Sequence, residues 1–224
     1  NYYEDHITHD PNITLVKKEA NYDMLVQGGY DAVIIAIGGK TRILDVPGSD
    51  KSSVVYANDY LNGSRVVDGK NVVIIGGGIT GAETALELDN DGKNVTIVEM
   101  ADTFLANSGS SCQAYNIAIA QSNIKIMTGK RLVAVEDNGV VLIDRWGNEN
   151  TVDADNVVIA AGFTPQYDLA NQLEENTEME VYNIGDSKKV RQWCAIFLLI
   201  SVSLIVALVL FQKNYLLYRY EKEE

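Results

Sequence analysis

The chain has 224 residues, of which 46% are hydrophobic and 22% charged, with a formal net charge of −13. It is long enough for one large domain or one and a half smaller ones, and its composition is that of a globular protein. Six Lys/Arg against three Glu make residues 187–224 positive by 3, leaving −16 on residues 1–186, an acidity that excludes a nucleic-acid partner.

Only Cys112 and Cys194 are present. Without a Cys-x-x-Cys the chain encodes neither a redox-active dithiol nor a zinc ribbon, and it cannot build a four-cysteine iron–sulfur cluster alone. Cys112, at the start of an expected helix, reads as an ordinary small side chain or, less plainly, as a thiol activated by the helix terminus. His6 and His9 read as surface-loop residues, not metal ligands. No secretory signal opens the chain, and its start at Asn1-Tyr2-Tyr3 without Met suggests a fragment or a processed chain.

In chain order, residues 13–16 suggest a strand and a loop surrounds Asn21. Asp31-Ala-Val-Ile-Ile-Ala-Ile-Gly-Gly39 is a continuous apolar run, expected as a strand buried on both faces of a sheet. Val46-Pro47-Gly48 is a turn, and residues 54–62 read as a linker.

A β-α-β pattern occupies residues 71–99. The strand 72–75 runs into Gly76-x-Gly78-x-x-Gly81, a helix follows, and a second strand, 94–98, ends in Glu99. Gly76 permits the tight turn, Gly78 lets backbone approach a pyrophosphate, and Gly81 lets the helix pack on its strand. The first helical residues, Ile79, Thr80 and Gly81, offer N–H groups and a partial positive charge to phosphates. Strand before, helix after and an acid about 20 residues on make this a dinucleotide site. Glu99 would accept hydrogen bonds from the adenosine ribose and repel a 2′-phosphate, and Met100-Ala101-Asp102 supply no cation to neutralise one. NAD(H) is therefore expected over NADP(H).

Residues 111–122 suggest a helix and 124–127 a short strand. Strands at 131–136 and 140–145, joined by Asp137-Asn138-Gly139, form a hairpin, and 149–152 adds a third strand. Asn156-Val-Val-Ile-Ala-Ala-Gly162 repeats the design of an apolar strand ending in glycine. The expected fold is α/β: a parallel Rossmann-like sheet carrying an inserted antiparallel ribbon.

Ala36-Ile37-Gly38-Gly39, the Gly76–Gly81 turn, Ala160-Ala161-Gly162-Phe163-Thr164-Pro165 and Tyr182-Asn183-Ile184-Gly185-Asp186 stand in an order that resembles the two-dinucleotide flavoproteins of the pyridine nucleotide–disulfide oxidoreductase superfamily. The wording is most similar to the C-terminal FAD/NAD module of Old Yellow Enzyme-like NADH:flavin oxidoreductases, the 2,4-dienoyl-CoA and bile-acid enoate reductases among them. The resemblance implies that NADH passes hydride to FAD and that electrons move on to centres elsewhere. It places Gly38 near FAD and Gly162 against NAD, and gives the Asp of Gly185-Asp186 a ribityl hydroxyl of FAD. Glu83 stands where relatives orient the nicotinamide ribose or amide, although a solvated helix-face carboxylate is the plain alternative.

Two departures matter. The amino-terminal FAD fingerprint is absent, so FMN or an iron–sulfur cluster belongs only to a missing N-terminal flavin-barrel region or partner. The reactive Cys pair is absent too, which excludes disulfide reductase chemistry. On this reading residues 1–62 are the end of a first FAD-binding segment with its linker, 63–162 the NAD-binding domain, and 163–191 a return to the FAD-binding domain.

Residues 193–211 contain no charged side chain and are about long enough to cross a bilayer. Trp193 and Tyr215 would anchor its ends, and Lys188, Lys189 and Arg191 favour a cytoplasmic amino-terminal side. A hydrophobic span here is foreign to the resemblance, so a true anchor, a gene fusion and a frame or assembly error after Arg191 all stay open, with residues 212–224 a polar tail. The alternative function is an inert membrane-anchored dinucleotide-binding fragment, or the remnant of an NADH oxidase-like FAD enzyme.

Overall fold

The computed structural model describes residues 2–106 and 112–190. The described chain up to Lys40 and from Phe163 on forms one compact unit, and Thr41–Gly162 forms the other.

The Thr41–Gly162 unit is built on a five-stranded, fully parallel sheet. Its spatial order is Val54–Tyr56, Asn156–Ile159, Asn71–Ile75, Asn94–Val98 and Lys125–Met127. Strands this rich in Val and Ile need cover on both faces, because successive side chains point to opposite sides. Val72 and Ile74 face a core that includes Leu88 of the helix Ile79–Asn90 and Ile119 of the helix Cys112–Ala120. Val73 and Ile75 face the other way, into a core with Leu132, Val135, Val140 and Leu142. Those four belong to the antiparallel ribbon of Lys130–Glu136, Gly139–Asp144 and Glu149–Asp153. The expected parallel sheet with an inserted ribbon is therefore present, helices covering one face and the ribbon the other.

Three expectations are corrected. Residues 54–62 are not a linker: Val54–Tyr56 is the sheet's edge strand and Ala57–Leu61 a helix. Val54 and Val55 are buried on opposite faces, a pairing partner that a three-residue run could not announce. Residues 13–16 form no strand, whereas Asn21 caps the helix Tyr22–Gln27 by accepting the Met24 N–H at 3.0 Å. His6 and His9 lie on a helix, Tyr2–His9, not a loop.

In the smaller unit Ala32–Ile35 pairs in parallel with Glu180–Asn183, giving a two-stranded sheet. The apolar run from Asp31 was expected to be covered on both faces. Instead, of Ala32–Ile35 only Ile35 is buried, and Ile37 beyond them is 48% exposed. The described residues supply one layer of cover, from Leu25, Ala170 and Leu173. The apolar segment expected at 193–211 lies outside the described residues. Among those described, no helix is long and apolar enough to cross a membrane.

Candidate dinucleotide site

The glycine turn lies at the carboxyl end of the strand Asn71–Ile75, the position from which open α/β sheets present ligand sites. Gly76 has φ of +117°, and a side chain there would run into the Ala160 carbonyl, so both backbone conformation and space require glycine. Gly78 is the N-cap of the helix Ile79–Asn90 and, as a glycine, brings no side chain to cap the first-turn N–H groups. The N–H groups of Ile79, Thr80 and Gly81, in the first turn, have no partner within the helix itself. Gly81 is buried in the helix, and a Cβ on it would strike the Gly76 carbonyl oxygen. The three sequence-marked glycines thus occupy one continuous bend.

Glu99 closes the bend. Its Oε2 accepts the Gly77 N–H at 2.6 Å and its Oε1 accepts the Ala101 N–H at 2.7 Å. Gly77, an unassigned position in the motif, has its carbonyl fixed as well, by the Leu105 N–H at 3.0 Å. A Cβ on Gly77 would lie 3.0 Å from both the Glu99 carboxylate and the Phe104 ring. Leu105 is buried at φ of +57°, a left-handed conformation that costs a non-glycine residue energy. Glu99 therefore shapes the turn before any ligand arrives. Each carboxylate oxygen retains a further acceptor lone pair.

Glu83 is exposed on the glycine-turn helix and accepts the Tyr115 hydroxyl at 2.5 Å. That hydrogen bond, with partial burial and the Glu83 charge, pushes the Tyr115 phenol up to about 12. Neither the solvated reading nor the nicotinamide reading included this partner, which lies 32 residues away. Gly162 follows the strand Asn156–Ile159 and is exposed, with φ of +81° and, among the described residues, no atom within 4 Å of where its Cβ would be. Backbone conformation, with open space beside it, is what the chain itself explains of Gly162.

The residues marked for FAD share the other unit. Gly38 follows the strand Ala32–Ile35, and Gly185-Asp186 follow its neighbour Glu180–Asn183, so both lie at the carboxyl end of the same parallel pair. Gln166 ties this end together, donating its amide to the Gly38 carbonyl at 3.2 Å and its backbone N–H to the Ser187 carbonyl at 3.0 Å. Ser187 is fully buried, its hydroxyl within 2.6 Å of Asn183 Oδ1 and 3.1 Å of the Ile35 carbonyl. Gln166 and Ser187 were not marked in the sequence, because nothing local distinguishes them from loop residues. Gly77 could have been found, being the middle of three consecutive glycines.

Residues 6–190 match the family described as pyridine nucleotide-disulphide oxidoreductase. The chain is 34% identical over 179 residues to a cinnamate reductase of Clostridium sporogenes, covering 77% of this chain and 26% of the relative. It is 32% identical to an NADH oxidase of Thermoanaerobacter brockii, with 71% and 25% covered. The structure of a 2-naphthoyl-CoA reductase in complex with 2-naphthoyl-CoA superposes with a TM-score of 0.69 at 32% identity, covering 77% of this chain and 26% of that one. The chain thus spans about a quarter of the length of these relatives.

Proposed function

The chain belongs to the pyridine nucleotide-disulphide oxidoreductase family, and on that premise we propose that it is the NADH-binding portion of a flavin-dependent oxidoreductase. The enoate- and CoA-reductase relatives support a partner region that takes the electrons onward to an unsaturated acyl substrate. When both are bound, NADH supplies the hydride and FAD accepts it. This chain's part is to bind and orient. The Ile79–Gly81 N–H groups take the pyrophosphate, and Glu99 takes the ribose and disfavours a 2′-phosphate. Gly38, Gly185 and Asp186 would hold part of FAD, and Gly162 would leave room beside the nicotinamide. No side chain in this scheme need transfer a proton.

The observation that carries the reading is the Glu99 carboxylate bonded to the Gly77 N–H, which joins the acid and the glycine turn into one cradle. The test mixes the purified chain with FAD and NADH without oxygen. Stoichiometric bound flavin that NADH bleaches supports the oxidoreductase. NADH binding without retained flavin supports the second reading, a binding module without turnover, which the strand Ala32–Ile35, only one residue of which is buried among the described residues, favours. Membrane anchoring through 193–211, with the dinucleotide unit cytoplasmic, rests on sequence alone. Sedimentation with membranes that is lost on deleting residues 192–224 would bear it out, and unchanged sedimentation would reject it.

A further inference from the structure

The sequence around Glu99 offers no cation, yet the fold brings one there. The strands Asn94–Val98 and Lys125–Met127 are parallel neighbours, so the turns leaving them emerge at the same end of the sheet. These turns are bonded together: Gly129 N–H donates to the Ala101 carbonyl at 2.9 Å and Lys130 N–H to the Glu99 carbonyl at 3.1 Å. Asp102 follows Ala101, whose own N–H is held by Glu99. Asp102 is ion-paired to Arg145, which arrives from the ribbon turn after Gly139–Asp144. The pair lies over Gly129, where a Cβ would be 3.6 Å from the Asp102 carboxylate and 3.9 Å from the Arg145 guanidinium. Arg145 also lies 5.5 Å from the centre of the Trp146 ring. Both side chains are more than half exposed and so open to a ligand. Lys130 is engaged elsewhere, with Asn150 at 3.0 Å and Asp144 at 3.7 Å.

We propose that Asp102 is a specificity-determining residue, which excludes 2′-phosphorylated dinucleotides by occupying Arg145 beside the ribose end of the glycine turn. The inference rests on the dinucleotide lying over Gly76–Gly81 with its ribose at Glu99. A 2′-phosphate entering there meets two carboxylates and one guanidinium, a net negative site whose cation is already paired. Removing the Asp102 charge leaves one carboxylate against one guanidinium. It also frees a planar donor fork suited to bidentate contact with phosphate. An exposed ion pair contributes little to stability, so discrimination can change without loss of the fold.

The test is calorimetric titration of NAD+ and NADP+ into the 224-residue chain, Asp102→Ala, Arg145→Ala and the double variant. Asp102→Ala is expected to bind NADP+ about tenfold more tightly with NAD+ affinity unchanged, the gain shrinking as salt screens it. The double variant is expected to return to the parental preference. A double variant that keeps the gain overturns the role of Arg145. An Asp102→Ala chain that binds NAD+ normally and still rejects NADP+ overturns the proposal outright. A parent chain that binds neither nucleotide refutes the cofactor reading beneath it, which separates the two failures.

Discussion

Glu99→Gln isolates what the acid does for the turn from what it does for a ligand. The substitution keeps the shape of the side chain but leaves one acceptor oxygen where there were two. In the native chain both oxygens receive backbone N–H groups, at 2.6 and 2.7 Å. In the variant one of these would face an NH2 group and lose its acceptor. A hydrogen bond to a charged group contributes about 1.5–3 kcal/mol. Partial exposure puts this loss near the lower end, about 2 kcal/mol. At about 3–4 °C per kcal/mol for a unit of this size, the melting temperature should fall by about 6–8 °C without any nucleotide present. Met100→Gln, at a neighbouring side chain that is 74% exposed, should leave it unchanged. Thermal melts of the two variants beside the parent decide the matter. A Glu99→Gln chain melting with the parent would refute the claim that Glu99 braces the turn.

Three further outcomes are expected. Gly81→Ala should gain about 1 kcal/mol of helix propensity yet lose about 1–3 kcal/mol to the collision with the Gly76 carbonyl; a net loss of about 0–2 kcal/mol with NADH affinity reduced at least tenfold, by melting and titration, is the signature. The Tyr115 phenol is held up at about 12, by its hydrogen bond to Glu83 first and burial second. Its contribution to stability is complete below pH 10 and disappears as pH rises towards 12, so Tyr115→Phe should remove one late step from the ultraviolet difference titration. The Asp144 carboxyl lies below its usual value. Burial would raise it, but hydrogen bonds from Asn148 and Trp146 and the Lys130 charge outweigh that. The stability it gives the ribbon turn is present above about pH 4 and fades as pH falls through the lowered value. Hydrogen exchange at the Trp146 and Asn148 amides should accelerate there, and Asp144→Asn should abolish that acid dependence.

The Rossmann-like sheet was legible because its signals are local. Val72 to Ile75, the glycine spacing and the ribbon's Asp137-Asn138-Gly139 turn each declare themselves within a few residues. The strand Val54–Tyr56 did not. Three residues are too few for a period, and its assignment depends on pairing with Val157–Ile159, about 100 residues on. The Asn21 cap was hidden for another reason: the helix it starts has six residues, fewer than two turns, and so carries no apolar stripe. The site divides the same way. Gly76, Gly78, Gly81 and Glu99 could be read from spacing, as mechanical needs of one bend. Tyr115 against Glu83, Arg145 against Asp102 and Gln166 against Gly38 are products of tertiary packing, which residue spacing does not encode.

The central claim is that the Gly76–Gly81 turn binds NADH. Calorimetric titration of NADH into the 224-residue chain and into Gly76→Ala tests it most directly. The claim predicts saturable binding of one NADH per chain, weakened at least tenfold in the variant because its new methyl meets the Ala160 carbonyl. No binding to the parent chain, or equal binding to both, would contradict it.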